Sequence, residues 1–354
     1  MVERLNGIEK VRGSTPLIST IQERPLRRSF FVYPLSLSRA LWYNLAMENF
    51  KKVAVLMGGT SNEREVSLVS GRNVVEGLAS LGKYEVVPVV LDADNLDVLP
   101  SHVDACYVTL HGGWGENGGV QAALDQRGIP YTGPGAAASR ITMDKIETKK
   151  VLDRAGVPNA PWSVVGDADA DLAEADLPLP LPVVVKAPRD GSSVGVYLVK
   201  TFDQWADAVR NAVRIDREKF GGSGEALVEA FISGREMTVG VLGHTALPVV
   251  EICAPGGWYG YEEKYNSNET RYPFPTDDFL PEMQRLALAA FDATGCRGVT
   301  RVDFRVTPEG QMFVLELNTS PGMTGHSLVP KAAAKLGVSF SDLCDRVLET
   351  AVHD

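Results

Sequence analysis

The sequence predicts an α/β protein: a parallel α/β domain first, then a larger α+β body. Three observations carry this. The chain has 354 residues, 44% hydrophobic and 23% charged, enough for two or three domains with cores of their own. From residue 52, short apolar runs alternate with stretches of helical period, the pattern of a parallel sheet. In the last third, alternating strands follow one another across short turns.

Taken in order, the first expected strand is 52–57, followed by a Gly-rich turn, a helix over about 63–80, strands 84–91 and 103–109, and a helix near 118–128. Helical period resumes over 144–155 and stops at Gly156, with Pro158 and Pro161 beyond it. Residues 168–182, rich in Ala, Asp and Pro, read as a surface connection. Strands 182–186 and 195–199, a helix over 202–213 and strand 226–229 come next. The last third should hold strands 236–242, 247–253, 298–306 and 312–318, an aromatic loop over 255–275, and helices near 281–294, 327–336 and 339–352. Residues 1–46 keep no steady period and read as an extension without chemistry, a second start being visible at Met47.

Net charge is −10, and the first 46 residues hold seven Lys/Arg against three Asp/Glu, so the remainder is more acidic still. Such a body is a poor binder of nucleic acid or of an anionic membrane. No run approaches the ~18 apolar residues of a membrane helix. Cys106, Cys253, Cys296 and Cys344 are far apart and read as reduced, mostly buried thiols of a cytoplasmic protein.

The most informative segment is the pair of strands 300–306 and 311–318, joined by Pro308-Glu309-Gly310. Centring the turn between Glu309 and Gly310 sets Asp303 opposite Glu316 and Arg301 opposite Asn318. On the other face, Val302 meets Leu317, Phe304 meets Leu315 and Val306 meets Phe313. Two facing carboxylates repel by about 4 kcal/mol at an effective dielectric near 20. A cation is therefore expected, and Asp, Glu and Asn oxygens suit Mg²⁺. Arg301 would clamp developing negative charge. The competing reading is a solvated polar face with a cross-strand Arg–carboxylate pair.

Elsewhere, Lys186 ends an apolar strand and leads into Gly191-Ser192-Ser193-Val194-Gly195, where backbone N–H groups can converge on an anion, although a plain flexible hairpin explains the glycines equally well. Lys145 would reach the same anion only if the chain folds back on itself. Glu229 ends a strand and precedes Phe231-Ile232 and Glu236, a strand-to-linker crossing of the kind that holds an adenine. In the first domain, Thr60-x-x-Glu63 matches a capping box, but Asn62-x-x-Glu65 could cap instead and free Glu63 for a substrate ammonium. His111 follows a strand end as either a turn hydrogen-bonder or a ligand contact.

The order of these motifs resembles that of the D-alanine:D-alanine ligases, carboxylate-amine ligases of the ATP-grasp superfamily. The likeness runs over about 52–350. It rests on Gly58–Ser67, Met143-Asp144-Lys145, Gly191–Gly195, Lys264-Tyr265, Arg301-Val302-Asp303 and Glu316–Ser327. It implies a parallel α/β (pre-ATP-grasp) substrate domain over 47–133, then a two-part ATP-grasp α+β fold. The central subdomain would cover 134–229 and the C-terminal one 230–354, the latter with the metal site and a lid over 255–275.

By the same resemblance, ATP phosphorylates one D-alanine and a second D-alanine attacks the acyl phosphate. Lys145 and Lys186 would hold phosphates, Glu229, Glu236, Phe231 and Ile232 the adenosine, and Lys264 would also contact ATP. Asp303, Glu316 and Asn318 would bind two Mg²⁺ ions, with Mn²⁺ able to substitute. Glu63, linked through Ser192 to Tyr265, would take the first ammonium, with His111 nearby. Ser327 would take the second carboxylate, and Arg301 with the Gly322 N–H the oxyanion. The resemblance further implies a cytoplasmic homodimer serving peptidoglycan precursor synthesis. The alternatives are a D-alanine:D-lactate ligase, against which Tyr265 argues, and a non-catalytic nucleotide sensor. Ala230 stands where relatives often carry Lys, and Ala187, Pro188 and Asp190 depart from a common Lys-Pro-Ser-Arg-Glu pattern.

Overall fold

A computed structural model describes residues 50–191, 195–255 and 269–354, which fall within one compact unit, Asn49–Asp354. The expected extension therefore lies outside the described residues, as do Ser192, Lys264, Tyr265 and most of the 255–275 loop.

The first sheet is parallel, with β1 (Lys52–Gly58) between β2 (Glu85–Leu91) and β3 (Ala105–Val108). Val53 to Leu56 of β1 have no solvent exposure, because a central parallel strand is covered on both faces and so reads as an unbroken apolar run. Helix α1 (Arg64–Ser80) makes the crossover, and Gly71 lets it approach the sheet. A Cβ there would sit 2.5 Å from that of Met57. Neither anticipated capping box forms at its start. Thr60 gives its hydroxyl to Asp94 (2.7 Å), Ser61 Oγ accepts from the Glu63 N–H (3.2 Å), and no side chain caps the helix.

Four elements follow β3: α2 (Gly113–Glu116), α3 (Gly119–Asp125), α4 (Ala136–Met143) and α5 (Lys145–Arg154). Of these α2 and α4 were not expected. The first sits in a Gly-rich loop and the second ends against Asp144, whose carboxylate accepts the Ile146 and Glu147 N–H groups to cap α5.

A four-stranded antiparallel sheet runs in the order β4 (Trp162–Gly166), β7 (Glu225–Ala230), β5 (Val183–Lys186), β6 (Val196–Val199). The sequence reading missed β4, whose five residues lie just past two prolines. The expected helix over 202–213 is a 3-10 turn at Phe202–Gln204 leading into α6 (Trp205–Phe220), which runs on to Gly221 at φ +61°. Its apolar face covers the sheet.

The third sheet is antiparallel, in the order β10 (Val250–Ile252), β8 (Arg235–Leu242), β11 (Val299–Val306), β12 (Met312–Asn318), with β9 (Thr245–Ala246) beside β8. Helix α7 (Leu280–Ala293) packs on it, and Ala138 and Leu152 from α4 and α5 join the same core. Helices α8 (Leu328–Lys335) and α9 (Phe340–Leu348) end the chain in a core shared with β1 and α1. The last helix stops at Leu348, short of the expected 352. No helix among the described residues is long and apolar enough to cross a membrane. Cys106, Cys296 and Cys344 are buried and Cys253 half-buried, all unpaired.

Candidate active site

The β11–β12 hairpin keeps the expected pairs where the chemistry lies: Arg301 faces Asn318, Val302 Leu317, and Asp303 Glu316. Toward the turn the register differs. Phe304 meets Val314 rather than Leu315, Arg305 meets Phe313, and Val306 meets Met312 rather than Phe313, with a bulge after Asp303. The turn closes from Gly310 N–H to Thr307 carbonyl (2.9 Å), centred on Glu309 half a residue earlier than expected, and Gly310 takes φ +84°. One extra residue in β12 restores the phase, so both carboxylates still share a face.

The charges on that face are answered by the chain's own cations. Arg301 binds Asp303 through two bonds (Nε–Oδ1 2.8 Å, Nη2–Oδ2 2.7 Å), and Thr238 Oγ1 donates to the same Oδ1 at 2.5 Å. Lys145 Nζ stands 3.9 Å from Glu316. Repulsion across the hairpin therefore does not by itself require a metal, and the competing Arg–carboxylate pair is present, along the strand rather than across it. Among the described residues no three His, Cys, Asp or Glu cluster as metal ligands. The donor set is two carboxylates and the Asn318 amide oxygen, which accepts the Ser320 N–H at 3.0 Å. Hard oxygens on one face fit a divalent cation of magnesium type that takes further ligands from elsewhere.

Opposite lie the lysines. Helix α5 presents Lys145 and Lys149 one turn apart, and Lys186 ends β5. Glu229 of β7 is ion-paired to both Lys149 and Lys186 and is 2% exposed. The carboxylate expected to meet an adenosine sits between two ammonium groups. Lys145 donates to the Asp190 carbonyl, while Arg189 pairs with Asp144 (2.9 Å) and Asp216 (2.6 Å), tying the glycine hairpin to α5 and α6. Phe231 and Ile232 form the half-buried link between the second and third sheets, where Arg305 donates to the Ile232 and Gly234 carbonyls and pairs with Glu236 (3.3 Å).

The first domain supplies a third wall. A Cβ on Gly112 would fall 2.7 Å from Glu63 Oε2 and one on Gly191 3.8 Å away, so Glu63 lies between the His111–Gly112 loop that follows β3 and the glycine hairpin. His111 is buried with both ring nitrogens engaged, Nδ1 to the Ser320 carbonyl (2.9 Å) and Nε2 to Ser70 Oγ (3.1 Å). Ser70 Oγ also accepts the Met323 N–H, so one consistent assignment has the protonated Nδ1 donating and Ser70 donating to Nε2. Burial pulls the imidazole below its ordinary range, which favours this neutral form.

Ser320 is held on three sides by the same loop: its N–H reaches Glu116 (3.2 Å), its hydroxyl the Leu110 carbonyl (2.8 Å), and its carbonyl His111. Two residues on, a Cβ at Gly322 would lie 2.6 Å from Ser327 Oγ, so these two expected site residues are brought together. Sequence reasoning missed Lys149, Glu116, Thr238 and Ser320. The first was findable as the next turn from Lys145. The others bear no signal without the contacts.

The family model described as "D-ala D-ala ligase C-terminus" matches residues 151–349, and "D-ala D-ala ligase N-terminus" matches 52–97. A D-alanine–D-alanine ligase of Herminiimonas arsenicoxydans is 43% identical over 320 residues, covering 87% of this chain and 93% of the relative. The chain belongs to the D-alanine–D-alanine ligase family. One from Bordetella pertussis is 43% identical over 313 residues, covering 86% and 96%. The crystal structure of the Bacillus anthracis ligase aligns with TM-score 0.73 at 32% identity over 85% of this chain and 97% of that one. Its complex with ATP aligns at 0.72 and 30%. The family's α/β fold, with one parallel and further antiparallel sheets, is the fold described above.

In this ligase Glu116 is half-buried between the Gly112 N–H (2.8 Å) and the Ser320 N–H. Burial, then the neighbouring Glu63, pushes its carboxyl up to about 8, against the two N–H groups and Arg301. Between the ordinary 4.5 and about 8 the folded protein thus retains a proton that the unfolded chain has released, so stability falls as pH rises across that window. Urea unfolding at pH 5 and pH 8 is expected to show this fall in the wild type and a smaller one in Glu116→Gln. Equal falls would remove the assignment.

Proposed function

We propose that this ligase joins two D-alanines into D-alanyl-D-alanine, consuming ATP, for peptidoglycan precursor synthesis. The reading is carried by one convergence: the acidic hairpin, the Lys145–Lys186 wall and the Glu63 loop meet in a chain whose relatives bear that activity in their names.

A carboxylate cannot lose oxide unaided. The γ-phosphoryl group therefore passes to an oxygen of the first D-alanine carboxylate, and ADP leaves. The second amine attacks the acyl carbon, a C–N bond forms, the C–O bond to phosphate breaks, and the amine proton is lost. Lys145 and Lys186 would take phosphate charge, with Glu229, Glu236, Phe231 and Ile232 along the adenosine. Glu63 would hold the first ammonium, with His111 packing beside it. Ser327 would hold the second carboxylate. Arg301 and the Gly322 N–H would bind the tetrahedral oxyanion, where one such donor contributes about 10²–10³ in rate.

Asp303, Glu316 and Asn318 would hold Mg²⁺ or Mn²⁺, which supplies charge neutralisation on the phosphates. Lys264 toward ATP and Ser192 with Tyr265 toward Glu63 complete the assignment from outside the described residues. We place the substrate domain at 47–133 and the ATP-grasp halves at 134–229 and 230–354, in a cytoplasmic homodimer.

Phosphate release from ATP is the test, with D-alanine, with L-alanine, and with D-alanine plus D-lactate. Release with D-alanine and formation of the dipeptide are expected. Release with L-alanine alone, or with none of them, would refute the proposal, and depsipeptide as the main product would move it to the lactate ligases.

A further inference from the structure

The Lys149–Glu229–Lys186 cluster holds more positive charge than its one carboxylate needs. Lys149 and Glu229 are buried, Lys149 1% exposed, and among the described residues the Lys149 ammonium has Glu229 as its ion-pair partner and makes no other hydrogen bond. Lys186, by contrast, ends its strand beside the glycine hairpin, with 12% of its side chain exposed. If Lys186 serves phosphate, as the proposed function has it, it must loosen its hold on Glu229. A buried carboxylate left without a counter-ion is strongly disfavoured, because its desolvation is then uncompensated. Lys149 is what stops that from happening.

We propose that Lys149 is a positioning residue for the nucleotide: it keeps Glu229 ionised and in place, so that Lys186 can be shared with the anionic phosphates of ATP. Lys149 acts through Glu229 and touches neither substrate. Burial by itself would raise the Glu229 carboxyl, but the two lysines outweigh it and hold it at about 2, in keeping with a permanently charged anchor. With Lys149 gone, Lys186 becomes the sole ion-pair partner of Glu229 among the described residues and is withheld from phosphate.

Calorimetric binding of a non-hydrolysable ATP analogue with Mg²⁺, without D-alanine, tests this in the full chain alongside steady-state kinetics. Lys149→Met should weaken analogue binding and raise the KM for ATP by about tenfold or more, while kcat at saturating ATP changes less than about threefold. Because Lys149 acts only through Glu229, its removal from a Glu229→Gln protein should change analogue binding less than about threefold, so Lys149→Met/Glu229→Gln should match Glu229→Gln, a non-additivity that a merely structural lysine would not show. Wild-type-like binding by Lys149→Met, an equal loss in kcat, or a double variant that binds more than about tenfold weaker than Glu229→Gln would overturn the proposal. Should Lys149→Met not fold, the double variant against Glu229→Gln decides alone, binding more than about tenfold weaker than Glu229→Gln counting against the proposal. A wild-type protein that binds the analogue yet makes no dipeptide would sink the D-alanine reading and leave this inference standing.

Discussion

Arg301→Ala is expected to lower turnover by about 10² or more while changing ATP affinity by less than about threefold. A donor aimed at charge that appears only in the transition state contributes to kcat and little to ground-state binding. The structure adds a second reason for a large effect. Arg301 holds Asp303 through two charge-assisted bonds, and its loss leaves a carboxylate whose side chain is only 8% exposed with the Thr238 hydroxyl as its remaining hydrogen-bond donor among the described residues. Lysine should rescue poorly, because a point charge cannot reproduce the planar fork. Phosphate release across an ATP titration separates the two parameters, and an equal loss in both would contradict the oxyanion role.

Gly234→Ala is expected to destabilise the ligase by about 3 kcal/mol or more, read by urea unfolding. Gly234 sits at φ +131°, a region that side chains rarely adopt, and a Cβ there would lie 2.0 Å from the Val306 carbonyl oxygen. That backbone atom cannot rotate away as a side chain would. The same residue passes its carbonyl to Arg305 in the link between the second and third sheets, so a shift there would also disturb Phe231, Ile232 and Glu236. A loss below about 0.5 kcal/mol would show that the link yields freely.

The hairpin shows how far the sequence reaches. Alternation with period two fixed which residues share a face, and Asp303, Glu316, Arg301 and Asn318 stand as read. The bulge escaped, because shifting the turn centre and adding a residue leave the same alternation beyond Asp303. Strand β4 escaped for a different reason: five residues beyond Pro161 carry too few apolar positions to mark a strand until β7 pairs with them. The capping signature at Thr60 was misleading, since Asp94, far along the chain, competes for the hydroxyl.

The sequence by itself determined the α/β class, the order of the motifs and the identity of the charged groups, because burial and backbone periodicity are written in local patterns. Only the tertiary structure decided which cation answers which carboxylate: Arg301 with Asp303, Lys145 beside Glu316, Lys149 and Lys186 around Glu229. The reason is range. A strand or helix is set by neighbours in the chain, whereas the partner of a buried charge is set by whichever opposite charge the packing of distant segments brings within a few ångströms, where desolvation forbids leaving it alone.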